Sequence, residues 1–233
     1  NSIDIDFVDA TSVDAVIEAV TEKTKLVFVE TIANPRTQIS DLKAIGDFCA
    51  EKGLVYIVDN TMTSPYLFQP INVRASLIVN SLTKYIGGHG NVLGGSITET
   101  GLFDWSTFEN IYDTYRRGDP HKWGITQIKK KGLRDFGASL GPEAAHHIAI
   151  GAETLALRQT QQCANASLMT AFLEKHELVK AVYYPGLESH AQHQRAADLF
   201  RHPGGLFSFE LAEGVDLWDF MNRFQVIVKS SNL

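Results

Sequence analysis

Three short continuous apolar runs, with a stretch of helical periodicity between the first two, constrain the fold of this chain more than any other feature. The runs cover residues 26–29, 54–58 and 77–79. Runs of this length predict buried strands. Between the first two, apolar residues recur at helical spacing, which predicts a helix capped by Ser40 and stopped by Gly53. Strands that alternate with helices predict an α/β fold with a mainly parallel sheet and right-handed crossovers.

Polar residues stand at the carboxyl ends of the three predicted strands. Glu30 follows the first run, Asp59 follows the second, and the third strand extends to Ser81. In a parallel sheet, ligands bind beyond the carboxyl ends of the strands. We therefore expect Glu30, Asp59 and Ser81 to converge on one edge of the sheet.

A lysine closely follows the third predicted strand. Thr83 and Lys84 come two and three residues after Ser81, and a glycine pair follows them. An amine beside hydroxyl groups at the end of a buried strand is partly desolvated and suited to attack a carbonyl. If strand geometry continues to Thr83, both hydroxyls lie on one face. With the carboxylate of Asp59, these groups could hold the aldehyde, the phosphate and the pyridinium nitrogen of pyridoxal phosphate (PLP).

Composition and charge restrict the class of function. Of the 233 residues, 44% are hydrophobic and 21% are charged, which is typical of a globular protein with a sizeable core. The net charge is −6, and the one concentrated basic stretch, residues 129–131, is typical of a solvated surface, so no nucleic-acid partner is expected. No apolar stretch approaches the length of a membrane span and no signal peptide opens the sequence, so we expect a cytoplasmic protein without a membrane partner.

The cysteine and histidine residues give no indication of a metal site. Cys49 and Cys163 are far apart, belong to no CxxC pair, and are typical of buried thiols in a reducing compartment. His190 and His193 have an i, i+3 spacing, but no carboxylate or cysteine partner is evident, so no metal is expected.

The second half of the chain has a different pattern. Apolar residues recur at helical spacing across residues 142–175, and residues 204–211 alternate as a half-buried strand. Asp216 is placed to cap a short helix. This change of pattern predicts a large domain over residues 1–157 and part of a smaller domain over residues 158–233.

Seven ordered motifs identify a family that this chain resembles. They are residues 30–35, 58–61 with 64–66, 81–89, 151–158, 163–166, 184–187, and 204–205 followed by 208–209. In this order they resemble the Cys/Met-metabolism PLP-dependent family, which includes cystathionine γ-synthase, the O-acylhomoserine sulfhydrylases, and the methionine and cystathionine γ-lyases. The likeness covers nearly the whole chain, and the lysine motif at residues 81–89 is highly specific.

The resemblance implies a fold and a set of cofactor contacts. The fold is the α/β, aspartate-aminotransferase-like large domain of fold type I, followed by part of a smaller α+β C-terminal domain. By position in the motifs, Lys84 would form a Schiff base with PLP and shuttle protons at substrate carbons. Asp59 would pair with the pyridine nitrogen, and Ser81 and Thr83 would hydrogen-bond the phosphate.

Three further positions take expectations from the resemblance. Asn34 matches the family asparagine that touches the ring oxygen of the cofactor, although a simple Asn-Pro turn is the alternative. Asn232 lies in residues 231–233, which resemble the substrate-carboxylate segment of the family, and an asparagine there resembles the sulfhydrylases more than the γ-lyases. For His89, a packing or hydrogen-bonding role is expected rather than proton transfer.

The chain also departs from the pattern of the family. The family's glycine-rich phosphate loop, its cofactor-stacking tyrosine, and the tyrosine and arginine that reach the neighbouring subunit's phosphate lie before the matching region. The arginine that grips the substrate carboxylate lies after it. None of these has a matching position here, so we expect this chain to be a fragment that lacks N-terminal and C-terminal segments of the family.

These features lead to one preferred functional hypothesis and two alternatives. The preferred hypothesis is PLP-dependent γ-substitution on an O-acylhomoserine, a transferase reaction of the sulfhydrylase or cystathionine γ-synthase type. The first alternative is γ-elimination by a methionine or cystathionine γ-lyase. The second is an inactive fragment that serves as a binding or assembly partner. The resemblance also implies self-association, as a homodimer or as a homotetramer built from dimers with shared active sites.

Overall fold

A four-stranded sheet forms the centre of the molecule. The computed structural model describes residues 3–230. The strands are β1 (Leu26–Glu30), β2 (Val55–Asp59), β3 (Leu77–Ser81) and β4 (Gly95–Glu99), in the spatial order β1-β2-β3-β4. Strands β1, β2 and β3 are parallel, and β4 runs antiparallel to β3. The predicted mainly parallel α/β sheet is confirmed.

Strand β4 is an element that the sequence pattern did not indicate. It reads Gly-Ser-Ile-Thr-Glu and carries a single strongly apolar side chain, Ile97, which is 45% exposed. Its strand geometry comes from pairing with β3, in which Ile97 lies opposite Val79. A strand whose stability comes from its partner leaves little local signal in the sequence.

Residues 3–230 contain eight α-helices, some beside this sheet and others in the C-terminal half. Shorter helical turns of other pitch cover Pro70–Val73, Leu82–Ile86, Trp105–Thr107, Asp113–Tyr115, Pro120–Lys122 and Ile128–Asp135. The α-helices are α1 (Val13–Ala19), α2 (Leu42–Lys52), α3 (Ser64–Leu67), α4 (Trp123–Gln127), α5 (Pro142–Glu153), α6 (Leu155–Leu173), α7 (His193–Leu199) and α8 (Leu217–Asn222).

The prediction for helix α2 is confirmed at its end and wrong at its start. Gly53 ends the helix in a left-handed conformation with φ +66°, as the sequence indicated. At the start, Asp41 occupies the capping position without a side-chain capping bond. The hydroxyl of Ser40 instead donates a 2.9 Å hydrogen bond to the carbonyl of Glu30, because the close passage of β1 offers an acceptor that competes with the helix.

Apolar side chains cover both faces of the sheet. On one face, Val29 and Val58 pack with Ile45 of α2 in a fully buried cluster. On the other face, Val55 and Leu77 join a second cluster around the residues that follow β4. The two clusters fix the sheet between layers and hold the carboxyl ends of its strands in constant relative positions.

The C-terminal half contains a separate two-stranded sheet. Strand β5 (Val179–Tyr183) pairs antiparallel with β6 (Ser208–Leu211), which is shorter than the strand predicted over residues 204–211. The predicted cap of α8 is confirmed, since Asp216 Oδ1 accepts a 2.8 Å hydrogen bond from the backbone N–H of Asp219. Helix α6 runs through residue 158, so the domain boundary there stays a prediction.

Candidate active site

The polar residues at the strand ends share one face of the sheet. Glu30 lies opposite Asp59 in the pairing of β1 with β2, and Asp59 lies opposite Val79 in the pairing of β2 with β3. Partners in register point to the same face, and so do residues two apart along a strand. Glu30, Asp59 and Ser81 therefore face the same side, and their predicted convergence at one edge is confirmed.

A backbone hydrogen bond from the following segment orients the carboxylate of Asp59. Its Oδ1 accepts a 2.9 Å hydrogen bond from the backbone N–H of Thr61. The hydroxyl of Thr61 in turn accepts a 2.8 Å bond from the backbone N–H of Ser81. Within residues 3–230, the second carboxylate oxygen of Asp59, Oδ2, makes no hydrogen bond. Asp59 thus has one anchored oxygen and one that is available to a ligand.

Glu30 is the neighbouring carboxyl group on this face. Partial desolvation raises its pKa above the ordinary value, and the negative charge of Asp59 acts in the same direction. A hydrogen bond from the backbone N–H of Asn34 opposes this rise. The two adjacent carboxyl groups make this edge a place where a positive charge is favoured.

Ser81 and Thr83 do not share a strand face, contrary to the sequence-based expectation. Strand β3 ends at Ser81, and a helical turn covers Leu82–Ile86. The hydroxyl of Thr83 contacts Gly94, accepting from its N–H at 3.0 Å and donating to its carbonyl at 3.3 Å. In contrast, the Ser81 hydroxyl makes no hydrogen bond within residues 3–230. The condition for a shared face, strand geometry that continues to Thr83, is not met because the chain turns immediately after the strand.

Lys84 lies at the centre of this turn in an unusual backbone conformation. Its φ is −84° and its ψ is −123°, which is non-helical inside a helical segment. The N–H of Gly87 donates to the carbonyl of Leu82 at 2.8 Å, and the N–H of Gly88 donates to the carbonyl of Lys84 at 2.7 Å. Lys84 is partly buried. The bond from Gly87 to Leu82 spans five residues. Such i→i+5 bonds are rare in proteins overall, and those that occur are often found at functional sites.

Arg158 is a residue near this turn to which the sequence analysis gave no role. Its guanidinium donates to the carbonyls of Tyr85 at 2.9 Å, Ile86 at 3.4 Å and Gly151 at 2.8 Å. Desolvation lowers its pKa below the ordinary arginine value. Arg158 ends the motif at residues 151–158, but a contact across 73 positions leaves no local signal.

A buried polar network lies behind the ends of β1 and β2. The hydroxyls of Thr31 and Thr63 are 3.0 Å apart, and Thr63 donates to Asn60 Oδ1 at 2.6 Å. Asn60 Nδ2 donates to the carbonyl of Phe68 at 3.1 Å. Thr31, Asn60 and Thr63 are each fully buried. A satisfied buried network of this kind rigidifies the segment that follows Asp59.

The structure also locates most of the remaining predicted positions. Asn34 is exposed after β1, and its side chain makes no hydrogen bond within residues 3–230, so its contact with a cofactor stays a prediction. His89 Nδ1 lies 2.7 Å from the carbonyl of Gly87, which confirms the expected hydrogen-bonding role. Asn232 lies outside the described residues.

His190 and His193 make contacts with the backbone. His190 Nδ1 accepts from the N–H of Gln192 at 3.2 Å, and His193 Nδ1 lies 2.9 Å from the carbonyl of Pro185. In the part of the chain that the structure describes, no group of three or more His, Cys, Asp or Glu side chains is arranged to hold a metal ion. None of the helices in that part has the length and apolar character that crossing a membrane requires.

The side chains at the strand ends fit PLP. The cofactor needs an amine for its aldehyde, a carboxylate for its ring nitrogen, and donors for its phosphate. Lys84 would supply the amine, Asp59 has its Oδ2 available, and Ser81 has a hydroxyl without a partner within residues 3–230. The hydroxyl proton of Thr83 is already used by Gly94. The fold and this set of groups define the class of PLP-dependent enzymes of fold type I.

Comparison with known proteins supports this class and gives the family. The sequence model of the Cys/Met metabolism PLP-dependent enzymes matches residues 1–233, so the chain belongs to that family. A solved structure assigned as an O-acetylhomoserine (thiol)-lyase from Campylobacter jejuni superposes with a TM-score of 0.87 and 30% identity, over 97% of this chain and 57% of that one. That structure contains N′-pyridoxyl-lysine-5′-monophosphate, a lysine joined to the cofactor.

Curated relatives have several different activities. An L-methionine γ-lyase of Fusobacterium nucleatum subsp. polymorphum is 37% identical over 216 residues, 92% of this chain and 49% of the relative. An O-acetyl-L-homoserine sulfhydrylase of Leptospira meyeri is 33% identical, over 92% of this chain and 53% of the relative. A cystathionine β-lyase of Coxiella burnetii is 36% identical, over 88% of this chain and 48% of the relative. The chain spans about half the length of the curated relatives it matches.

Proposed function

We propose that this chain supplies the cofactor-binding part of a PLP-dependent enzyme that performs γ-substitution on an O-acylhomoserine. One observation carries the proposal: the structure brings a carboxylate with an available oxygen and a serine hydroxyl to one face, immediately before the turn of Lys84. Membership of a PLP-dependent family that acts on sulfur-containing amino acids supports it.

The residues of this chain have separate tasks in the proposal. Bound PLP supplies an electron sink that accepts the electron pair left when a substrate C–H bond breaks. Asp59 keeps the ring nitrogen protonated, and the N–H of Thr61 fixes the orientation of its carboxylate. Ser81 donates a hydrogen bond to the phosphate. The free amine of Lys84 would take the Cα proton of the substrate as a general base.

Substitution and elimination differ in the step after loss of the γ-substituent. In substitution, a thiol or sulfide would take the place of the γ-substituent, whereas elimination followed by hydrolysis would release a 2-oxo acid and ammonia. The resemblance of the segment around Asn232 to the sulfhydrylases supports substitution. Elimination is the second candidate, and the 37% identity to an L-methionine γ-lyase favours it.

Substrate assays on the complete enzyme separate these two reactions. O-acetylhomoserine and O-succinylhomoserine are supplied with sulfide or cysteine, and methionine and cystathionine are supplied alone. We expect thioether or homocysteine formation from the first set. Turnover of only the second set, with release of a 2-oxo acid, would replace substitution by elimination.

A spectroscopic test separates an enzyme from an inactive binding partner. On addition of PLP, the complete protein should develop a visible absorption band that borohydride abolishes, and peptide mass analysis should find the reduced cofactor on Lys84. Lys84→Ala should remove both signals and lower turnover by about 10³-fold. The control is Lys180→Ala, an exposed lysine on β5 that is paired with Glu210. A colourless protein after incubation with PLP would support the role of an inactive partner.

A further inference from the structure

We propose that Arg158 is a positioning residue that holds the backbone of Lys84 in the conformation used for cofactor attachment. The inference rests on the proposed function of Lys84 and extends it to a residue on a different helix. Arg158 does not reach the cofactor in this proposal. It acts through the carbonyl groups of Tyr85 and Ile86, the two residues that follow Lys84.

The contacts of Arg158 connect the lysine turn to the junction of α5 and α6. Nη1 donates to the carbonyl of Tyr85 and Nη2 donates to the carbonyls of Ile86 and Gly151, at 2.9, 3.4 and 2.8 Å. Nε donates to the hydroxyl of Thr154 at 3.0 Å, one turn earlier in the chain. A planar guanidinium can make these bonds at the same time, whereas a lysine ammonium lacks the fork of donors.

Within the described part of the chain, the hydrogen-bond acceptors of Arg158 are all neutral. No carboxylate within residues 3–230 forms an ion pair with it. A partly buried guanidinium without a counter-ion contributes no ion-pair energy, and its bonds to carbonyl oxygens offset the loss of hydration. The arrangement is therefore better explained by the geometry that it imposes on the turn than by ion-pair stabilisation.

Two glycines permit the close approach of Arg158 and α5 to the turn. Gly88 has φ +71°, and a Cβ at this position would lie 2.1 Å from Nη1 of Arg158. A Cβ at Gly151 would lie 2.1 Å from the carbonyl oxygen of Gly87. A larger residue at Gly88 would displace the guanidinium of Arg158, and a larger residue at Gly151 would push α5 away from the backbone of the turn. The close contact therefore depends on a glycine in each segment, Gly88 after the turn and Gly151 on α5.

Lys84 lies between two fixed segments. On its N-terminal side, the N–H of Leu82 donates to the carbonyl of Gly94 at 2.9 Å, and Thr83 bonds to Gly94 through its hydroxyl. On its C-terminal side, Arg158 holds the next two carbonyls. Without Arg158, the ψ of −123° at Lys84 would lose its side-chain restraint on that side, and the residue could relax to ordinary helical values.

The test compares Arg158→Ala and Arg158→Lys with Arg195→Ala in the complete PLP-loaded enzyme. Arg195 is a matched control, because it also donates to two backbone carbonyls, those of Thr11 and Ile39, and lies on α7 outside the lysine turn. The readouts are the pH midpoint of the visible band of the bound cofactor, the rate at which borohydride traps it on Lys84, and kcat and KM separately.

We expect Arg158→Ala to shift the pH midpoint, to slow trapping, and to lower kcat by about 10²-fold while KM changes by less than about threefold. Arg158→Lys should recover only part of this loss, since it keeps the charge and loses the fork. Arg195→Ala should leave the spectrum and the trapping rate unchanged. Equal spectra, trapping rates and kcat in Arg158→Ala and wild type would overturn the inference.

Two further results keep the inference separate from the proposed function and from folding. A wild-type protein that never attaches PLP to Lys84 would overturn the proposed function itself, and the role of Arg158 with it. If both Arg158 variants fail to fold, amide hydrogen exchange of the wild type decides. Protection of the Gly87 and Gly88 amides comparable to that of β2 supports a clamped turn, and exchange as fast as in an exposed loop contradicts it.

Discussion

At the scale of single residues, identical chemistry leads to different roles because of what surrounds each side chain. Ser81 and Thr83 both carry hydroxyls beside Lys84. Only that of Thr83 is used by the described part of the protein, in two bonds to Gly94. A hydroxyl has one proton to donate, so Thr83 would have to release the carbonyl of Gly94 before it could donate to a phosphate.

The two hydroxyls should respond differently to substitution. Ser81→Ala should weaken PLP binding by about tenfold or more, because a hydrogen bond to a charged group contributes about 1.5–3 kcal/mol. Thr83→Val should instead lower the free energy of unfolding by about 1–3 kcal/mol, since it leaves the N–H of Gly94 without its hydroxyl partner and removes one of the bonds to the Gly94 carbonyl. Cofactor titration and urea unfolding of the complete protein check both. A greater loss of PLP affinity in Thr83→Val would return the phosphate contact to Thr83.

Glu30 gives a prediction about pH. Desolvation raises the pKa of Glu30 in the folded state, so the folded protein binds the proton of Glu30 more tightly than the unfolded chain does. This tighter proton binding stabilises the fold at low pH, and the stabilisation is lost as the pH rises through the raised pKa. Glu30→Gln should therefore raise the unfolding midpoint at pH 7.5, by a difference that disappears below the ordinary glutamate pKa of about 4.3. Urea unfolding at several pH values measures this difference. The exposed Glu22→Gln is the control, and a difference that grows at acidic pH would show that the sign is wrong.

At the scale of elements, the segment that follows β2 depends on side-chain hydrogen bonds. Helix α3 has four residues, which is too short to be stable by itself. The bonds among Thr31, Asn60 and Thr63 connect it to the ends of β1 and β2. The position of the chain next to Asp59 is therefore set by a polar network rather than by helix propensity.

Thr63→Val tests this network with a side chain of nearly the same shape. It removes the bonds to Thr31 and to Asn60 Oδ1 and leaves buried polar atoms without partners, so the free energy of unfolding should fall by about 1–3 kcal/mol. Thr114→Val, at an exposed position, should change it by less than about 0.5 kcal/mol. Urea unfolding of the complete protein gives both values. Equal losses in the two variants would mean that the network contributes nothing.

At the scale of the whole molecule, large apolar side chains remain on the surface. On α6, Leu157, Leu168 and Phe172 are 76%, 74% and 60% exposed, and on β1 Phe28 is 53% exposed. Exposed apolar groups on one helix and one edge strand are typical of surfaces that other protein segments cover. This observation is in keeping with the expectation, implied by the family resemblance, that the complete protein associates with copies of itself.

The proposed homotetramer gives a prediction for the complete protein. Sedimentation analysis with PLP should give a mass of four chains, and dilution should produce dimers before monomers if the tetramer is built from dimers. Activity and visible absorbance followed during dilution would show whether the active site depends on the assembly. A fully active monomer at all concentrations would contradict both shared active sites and the tetramer.

Local sequence patterns determined the three parallel strands and most of the candidate site. Apolar runs of strand length and the polar residues at their ends are local features, so Asp59, Ser81 and Lys84 could be predicted as candidate site residues from the order of the amino acids alone. The family resemblance added the cofactor. Each of these strands can be predicted because the hydrophobic effect buries a short apolar segment, and that segment is visible in the sequence by itself.

Only the tertiary structure decided how the lysine turn is held. The bonds of Thr83 to Gly94, the pairing of β4 with β3, and the contacts of Arg158 with Tyr85 and Ile86 join residues that are distant in sequence. A hydrogen bond between such residues depends on how helices and strands are placed relative to one another, and the periodicity of a single sequence does not predict that placement. The sequence therefore predicted Lys84 as the reactive amine, and packing between helices and sheet determined the backbone conformation at this residue.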